Sequence, residues 1–343
     1  MELLQIDGNK GEGGGQILRT SLALSAITGM PISINNIRSG RPKPGLQRQH
    51  LTAVLAAAKV SGAEVHGAYI DSQSLSFLPG KPMSGDYHFD IGSAGSTTLV
   101  FQTILPILLK SGHSSTVTIT GGTHNPMAPS AEFLEESFLN ALTMIGVTCS
   151  FSLRHHGFYP AGGGVIVSQI EPWLKFQPLS LIARGELKKN SGRILYAHLP
   201  EHIPDREQSA IAQELHWSMN QIEKIEVNSN GPGNMVILKM EYENVVTIVS
   251  SCGELRKSAE HVALAATENT KAYLDTQNPV CEHLADQLLL PLAMGEGGEF
   301  ITCSPSQHLI TNMEIISRFL GPVIAISEKK NKSWLVSVKP SVA

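Results

Sequence analysis

The chain has 343 residues, 42 % hydrophobic and 16 % charged, which is ordinary for a folded soluble protein and ample for two or so domains with a substantial core. Its net charge of −4 excludes a protein that coats long nucleic acid, which needs a strong positive excess. No apolar stretch is long enough to cross a bilayer and the start has no basic region followed by an apolar run; the scattered Cys149, Cys252, Cys281 and Cys303 form no Cys-x-x-Cys pair or disulfide framework, which suits a reducing cytoplasm.

Along the chain, a unit of roughly eighty residues recurs. The first copy is expected to hold a strand over 3–6, the glycine-rich Gly11-Glu-Gly-Gly-Gly15, and a helix over 16–28 stopped by Gly29. A strand over 31–37, a helix over 45–61 stopped by Gly62, and strands over 64–69 and 74–78 complete it. Arg38, Arg41, Lys43 and Arg48 crowd the loop ahead of the second helix, with Arg19 upstream. Such a loop is either a solvated basic surface or a fitting place for phosphate.

The second copy repeats the order: strand 86–91, turn Gly92-Ser-Ala-Gly95, helix 96–110, strand 115–121, helix 129–145 ending at Gly146, and strands 147–153 and 165–170. Between the last two strands lies His156-Gly-Phe-Tyr-Pro-Ala-Gly-Gly-Gly164. Successive glycines have no side chains to pack, so they serve a backbone that needs φ > 0 or a close approach.

Residues 185–279 break the repeat. They read as a strand over 192–198, a helix over 206–219, strands over 224–227, 235–242 and 244–250, and a long helix over 257–276. The third copy begins near Val280, with helix 282–292, strand 299–303, helix 306–320 ending at Gly321, and strands 323–327 and 333–338. Pro44 and Gly62, Pro129 and Gly146, and Pro305 and Gly321 bracket the three second helices, the expected asymmetry of proline before and glycine after. The order βαβαββ, three times over, predicts an α/β (α+β) fold with helices on one face of each sheet. Repeats one and two (1–184) and repeat three (280–343) form a large domain, and 185–279 a smaller α/β domain inserted between the second and third copies.

The chain lacks a Gly-x-x-x-x-Gly-Lys-Ser/Thr phosphate loop, and Gln16 stands where a dinucleotide fingerprint needs its last glycine. His198-Leu-Pro-Glu201-His202 matches a zinc-protease pattern, but Pro200 breaks the helix that such a pair requires. Glu12, among four glycines, is either part of a surface turn or a carboxylate able to hold Mg²⁺ beside a nucleotide phosphate. Of the 13 histidines, His308 stands out because it falls in the first turn of the third copy's second helix. Histidine there is either a cap or, with a neutral ring, a covalent catalyst.

The glycine signature at 156–164 resembles that of the RNA 3′-terminal phosphate cyclase family, and the likeness covers nearly the whole chain. It includes Gly11-Glu-Gly-Gly-Gly-Gln-Ile-Leu-Arg19, Arg38-Ser-Gly-Arg41, Pro44-Gly-Leu-Gln-Arg-Gln-His50, Gly92-Ser-Ala-Gly-Ser96, Leu284-Ala-Asp-Gln287 and His308-Leu-Ile-Thr-Asn312. The resemblance implies an ATP-dependent enzyme, a ligase, that turns an RNA 3′-terminal phosphate into a 2′,3′-cyclic phosphodiester through covalent His-AMP and RNA-adenylate intermediates. It implies His308 as the nucleophile and Glu12 as contact to a divalent Mg²⁺ or Mn²⁺. It also implies Arg19, Arg38, Arg41 and Gln49 around the substrate phosphate, and Gln102, Pro129, Phe133, His283, Leu284, Ala285, Asp286 and Gln287 around the nucleotide. Position 283 departs from the family by carrying histidine in place of tyrosine. The implied partners are RNA 3′ ends bearing a phosphate, with no membrane, and an oligomer is possible. Two other classes stay open: a non-catalytic cyclase-like factor of ribosome assembly, and an enolpyruvyl-type transferase, whose repeated fold the family resembles.

Overall fold

In the computed structural model, which describes residues 3–341, three stretches of chain build the same four-stranded sheet. The first contains β1 (Leu4–Asp7), α1 (Gly15–Thr28), β2 (Ile32–Asn35), α2 (Arg48–Ser61), β3 (Glu64–His66) and β4 (Leu75–Leu78), with sheet order β1-β2-β4-β3. The second contains β5 (Asp86–Asp90), α3 (Thr97–Leu109), β6 (Ser115–Gly121), a π-helical segment Phe133–Leu139 running into α4 (Asn140–Thr143), β7 (Cys149–His155) and β8 (Gly164–Ile170), with order β5-β6-β8-β7. The third opens with β9 (Leu179–Leu181).

The chain then leaves for β10 (Leu187–Ala197), α5 (His202–Leu215), β11 (Ile222–Glu226), β12 (Gly233–Tyr242), β13 (Val246–Cys252) and α6 (Ala259–Asp275). It returns as α7 (Glu282–Met294), β14 (Gly298–Thr302), α8 (Gln307–Leu320), β15 (Ile324–Glu328) and β16 (Trp334–Val338). The third sheet has the order β15-β16-β14-β9, which is the order of the other two. In each, the first two strands are parallel, joined by a helical crossover, and the remaining pairs are antiparallel.

The excursion therefore interrupts the third repeat after its first strand; it does not fall between the second and third repeats, and the third repeat does not begin at Val280. A three-residue strand is too short to carry an alternating pattern, so β9 leaves no signal in the sequence. A second difference concerns the helix expected over 129–145, whose middle, Phe133–Leu139, is π-helical. Its successive residues Glu136 and Ser137 both engage the excursion: Lys239 Nζ reaches Glu136 at 3.0 Å, and Ser137 Oγ donates to Val246 O at 2.8 Å. The wider turn brings these neighbours toward one side of the helix.

Strand alternation ties the excursion to the body. In β12, Met235 and Ile237 point into the main core, while Val236 and Leu238 join Ile211, Val262, Ala263 and Ala266 in a smaller core under α5 and α6. In the body, α1 packs on α2, α3 and α8, and α7 packs on α8. Pro106 in α3 and Pro291 in α7 each stand nine residues after the helix start, Thr97 and Glu282, a trace of the repeat inside the helices themselves. This packing turns several helix starts toward one centre.

Candidate active site

A cavity of about 920 Å³ opens at that centre. Its wall takes Gly14, Gly15 and Gln16 from the start of α1, Gln49 and His50 from α2, Cys281, Glu282 and His283 from α7, and His308 from α8. Four helix N-termini thus turn their positive dipole ends toward one space, which favours anions.

His308 sits in the first turn of α8, whose cap Ser306 Oγ accepts from Leu309 N at 3.1 Å. Its Nδ1 is hydrogen-bonded to Gln16 Oε1. The Gln16 amide is oriented by its other end, because Nε2 donates to Asp286 Oδ2 at 2.9 Å. Gln16 Oε1 can then only accept, so His308 Nδ1 carries a proton, and in the neutral ring Nε2 is the nitrogen with the lone pair. Burial pushes the Asp286 carboxyl up to about 7, although the Gln16 hydrogen bond and Arg19 pull it down. Asn312 closes the cluster: its Nδ2 donates to Asp286 O at 2.8 Å, and its Oδ1 accepts from Thr20 Oγ1 at 2.6 Å.

Beside this cluster stand three guanidinium groups. Arg41 pairs with the Glu12 carboxylate at 2.7 Å and also donates to the Glu12 carbonyl at 2.8 Å. Glu12 Oε1 accepts from Gln16 N at 3.2 Å. The carboxylate fits because Gly14 lacks a side chain; a Cβ there would lie 2.2 Å from Glu12 Oε2. Arg38, with φ of 53°, is pinned to Lys43 O and Gly45 O at 2.7 and 2.8 Å. Burial, then repulsion from Arg41, lowers its pKa, and burial does the same to Arg19. His50 is held down to about 3, by burial first and then by Arg38 and Arg19. Its Nδ1 accepts from Gln47 N at 3.3 Å, which leaves a neutral ring with an Nε2–H donor on the cavity wall. Gln49 Oε1 accepts from Ser96 N at 2.8 Å, joining the first repeat to the second. Positive charge outweighs the one paired carboxylate at this end, so the site suits a phosphate-bearing ligand.

Of the residues singled out from the sequence, Glu12, Arg19, Arg38, Arg41, Gln49, Gln102, Pro129, Phe133, His283, Asp286, Gln287 and His308 all line the cavity. Gln102 Nε2 donates to Gln287 Oε1 across it. Leu284 and Ala285 do not reach the wall; they are 0 % and 2 % exposed in the core beneath. The glycine signature at 156–164 also lies off the wall. Its Gly162, at φ of 67°, passes so close to the Gly92–Gly95 turn that a Cβ would meet Ala94 Cα at 2.9 Å. Its glycines serve packing. His198 and His202 are not turns of one helix, since α5 begins only at His202.

Gln16, Thr20 and Asn312 escaped the sequence reading as functional residues. Gln16 and His308 are 292 positions apart, and no local pattern announces the bond between them.

A family model described as RNA 3′-terminal phosphate cyclase matches residues 10–326. The RNA 3′-terminal phosphate cyclase of Koribacter versatilis (strain Ellin345) is 45 % identical over 332 residues, covering 96 % of this chain and 94 % of its own. Among solved structures, the enolpyruvyl transferase NikO from Streptomyces tendae aligns with 99 % of this chain and 50 % of its own at 10 % identity, with a TM-score of 0.39, a likeness too loose to decide fold or chemistry.

Proposed function

This chain belongs to the RNA 3′-terminal phosphate cyclase family, and on that footing we propose that it is an ATP-dependent ligase converting an RNA 3′-terminal phosphate into a 2′,3′-cyclic phosphodiester. His308 Nε2 attacks the α-phosphorus of ATP, a phosphoramidate P–N bond forms, and pyrophosphate leaves. Gln16 Oε1 steadies the Nδ1–H as the ring becomes cationic. The AMP then passes to the RNA 3′-phosphate, restoring neutral His308. The neighbouring 2′-hydroxyl attacks that phosphate, losing its proton, and AMP departs. A terminal phosphate has no good leaving group and adenylylation supplies one; the adjacent hydroxyl makes the last step intramolecular.

The observation that carries this reading is the fixed tautomer of His308, with its free nitrogen on a wall shared with Arg19, Arg38 and Arg41. The guanidinium groups suit phosphates, and Gln102, Pro129, Phe133, His283 and Gln287 offer the remaining wall to the nucleoside. Glu12 offers one carboxylate already shared with Arg41, which fits a Mg²⁺ or Mn²⁺ ion held mostly by phosphate oxygens. No helix among the described residues is long and apolar enough to cross a membrane, and the free cysteines accord with a cytoplasmic enzyme.

The test is incubation with ATP labelled at the α-phosphate. Wild type with Mg²⁺ or Mn²⁺ should give a labelled band that survives denaturation, and His308→Ala should give none. A non-catalytic RNA-binding factor or an enolpyruvyl-type transferase would give no band with either protein.

A further inference from the structure

Away from the cavity, three potential ligands converge in the second repeat. Those of His124, Glu132 and His156 lie within 4.8 Å of one another, and no other such group of histidine, cysteine or carboxylate ligands occurs among the described residues. His124 Nε2 is 3.1 Å from both oxygens of Glu132, and the pair is buried, with side-chain exposures of 0 % and 9 %. The His124 and His156 rings lie nearly parallel, 5.4 Å apart and 20° from coplanar.

From this geometry we propose that His124 Nε2, the Glu132 carboxylate and a ring nitrogen of His156 bind a Zn²⁺-like divalent cation, with water completing the set. Two histidines and one carboxylate, leaving a fourth position open, form a donor set suited to zinc and ill suited to Mg²⁺, which prefers oxygen alone. Two ligands of a tetrahedral zinc stand about 3.4 Å apart, so from a separation of up to 4.8 Å the half-buried His156 has to swing inward when the cation binds.

An independent feature supports the assignment. A metal-bound imidazole needs its far nitrogen to donate to a fixed acceptor. His124 Nδ1 has one in Thr123 Oγ1 at 2.8 Å, itself positioned by the Gly157 N–H at 2.9 Å. The cation would exchange the proton now shared between His124 and Glu132 for a charge that satisfies both.

The ligands come from three places: the loop after β6, the entrance of the π-helical segment and the end of β7. His156 also bridges to Ser229 of the excursion. A cation there would clasp these pieces behind Asn125, Pro129 and Phe133, which line the cavity, acting as a structural clip outside the reacting centre. The inference does not depend on the cyclase reading.

Co²⁺ alone, added to chelator-stripped full-length protein, tests it. The expected result is one equivalent bound with the visible absorption of four- or five-coordinate cobalt. His156→Asn, chosen because that residue is only half-buried, should abolish the band while circular dichroism stays that of wild type; Glu12→Ala should keep the band. Zn²⁺ alone should raise the melting temperature of wild type and not of His156→Asn. No band in wild type, or a band that survives His156→Asn or is lost with Glu12→Ala, overturns the proposal.

Discussion

At the scale of single residues, the site depends on Gln16. Its amide is the one group that touches both His308 and Asp286, and it dictates which imidazole nitrogen is free. Gln16→Leu keeps the bulk and removes the orientation. Self-adenylylation by this variant should fall by up to about 10⁴-fold, the scale of loss when a catalytic imidazole takes the wrong tautomer, far more than the about 1–3 kcal/mol of stability lost by removing the Asp286 partner explains, with circular dichroism unchanged. Arg41 poses a different question, because it holds Glu12 as well as facing the cavity. Arg41→Ala should impair cyclisation of 3′-phosphate RNA by at least 10-fold more than it impairs self-adenylylation, since direct phosphate contacts are charge-assisted. Equal losses in the two assays would instead mean that Arg41 acts only by placing Glu12. Glu12, Arg19, Arg38 and Arg41 stood out in the sequence because charged side chains in and beside glycine- and proline-rich loops mark a place that can meet a ligand, and His308 because it opens a helix; Gln49, Gln102, Pro129, Phe133, His283 and Gln287 came only with the family resemblance. Leu284 and Ala285 came with the same resemblance and lie in the core beneath the wall, and Gln16 was missed because a helical glutamine looks the same whether or not it meets a histidine far along the chain.

At the scale of elements, helix starts do the positioning. Ser306 caps α8 two residues before His308, and Ser96 caps α3 in the same way, accepting from Leu99 N at 3.2 Å. Ser306→Ala should cost about 1 kcal/mol of stability. For a chain of 343 residues that lowers the melting temperature by roughly 1–2 °C. Adenylylation should also slow more than the modest unfolding accounts for, as α8's first turn frays. Differential scanning calorimetry together with the labelling assay separates the two effects. Most element positions were readable: bracketing prolines and glycines located α2 and α8 to within a few residues, as Gly62 and Gly321 show at their ends. What could not be read was β9, too short for periodicity, and the π-helical turn at Phe133–Leu139, which answers contacts made by a sheet more than fifty residues away.

At the scale of the whole molecule, buried ionisable groups set the pH response. Burial pushes Glu207 up to about 8, and one of its oxygens has no partner while the other takes the Asn234 amide. Asp286 is raised to about 7 by the same cause. Both folded values exceed the unfolded ones, so the folded chain holds more protons and stability falls as pH rises through 7 and 8. In the opposite sense, burial keeps His50 and His156 neutral, at about 3 and 4, so stability falls as pH drops below 6.5. Urea denaturation should therefore show a decline from pH 6.5 to 8.5. Glu207→Gln should remove about 2 kcal/mol of that decline, at 1.36 kcal/mol per pH unit. An unchanged slope in Glu207→Gln would rule this cause out. The interrupted third repeat has a consequence for synthesis. On the ribosome β9 emerges ahead of residues 182–297 and waits for β14, its sole partner in the sheet. The closing segment that covers this strand also delivers His308. A chain released early therefore leaves β9 uncovered and lacks His308, the proposed nucleophile, so on that proposal translation yields reactivity only together with a sealed sheet.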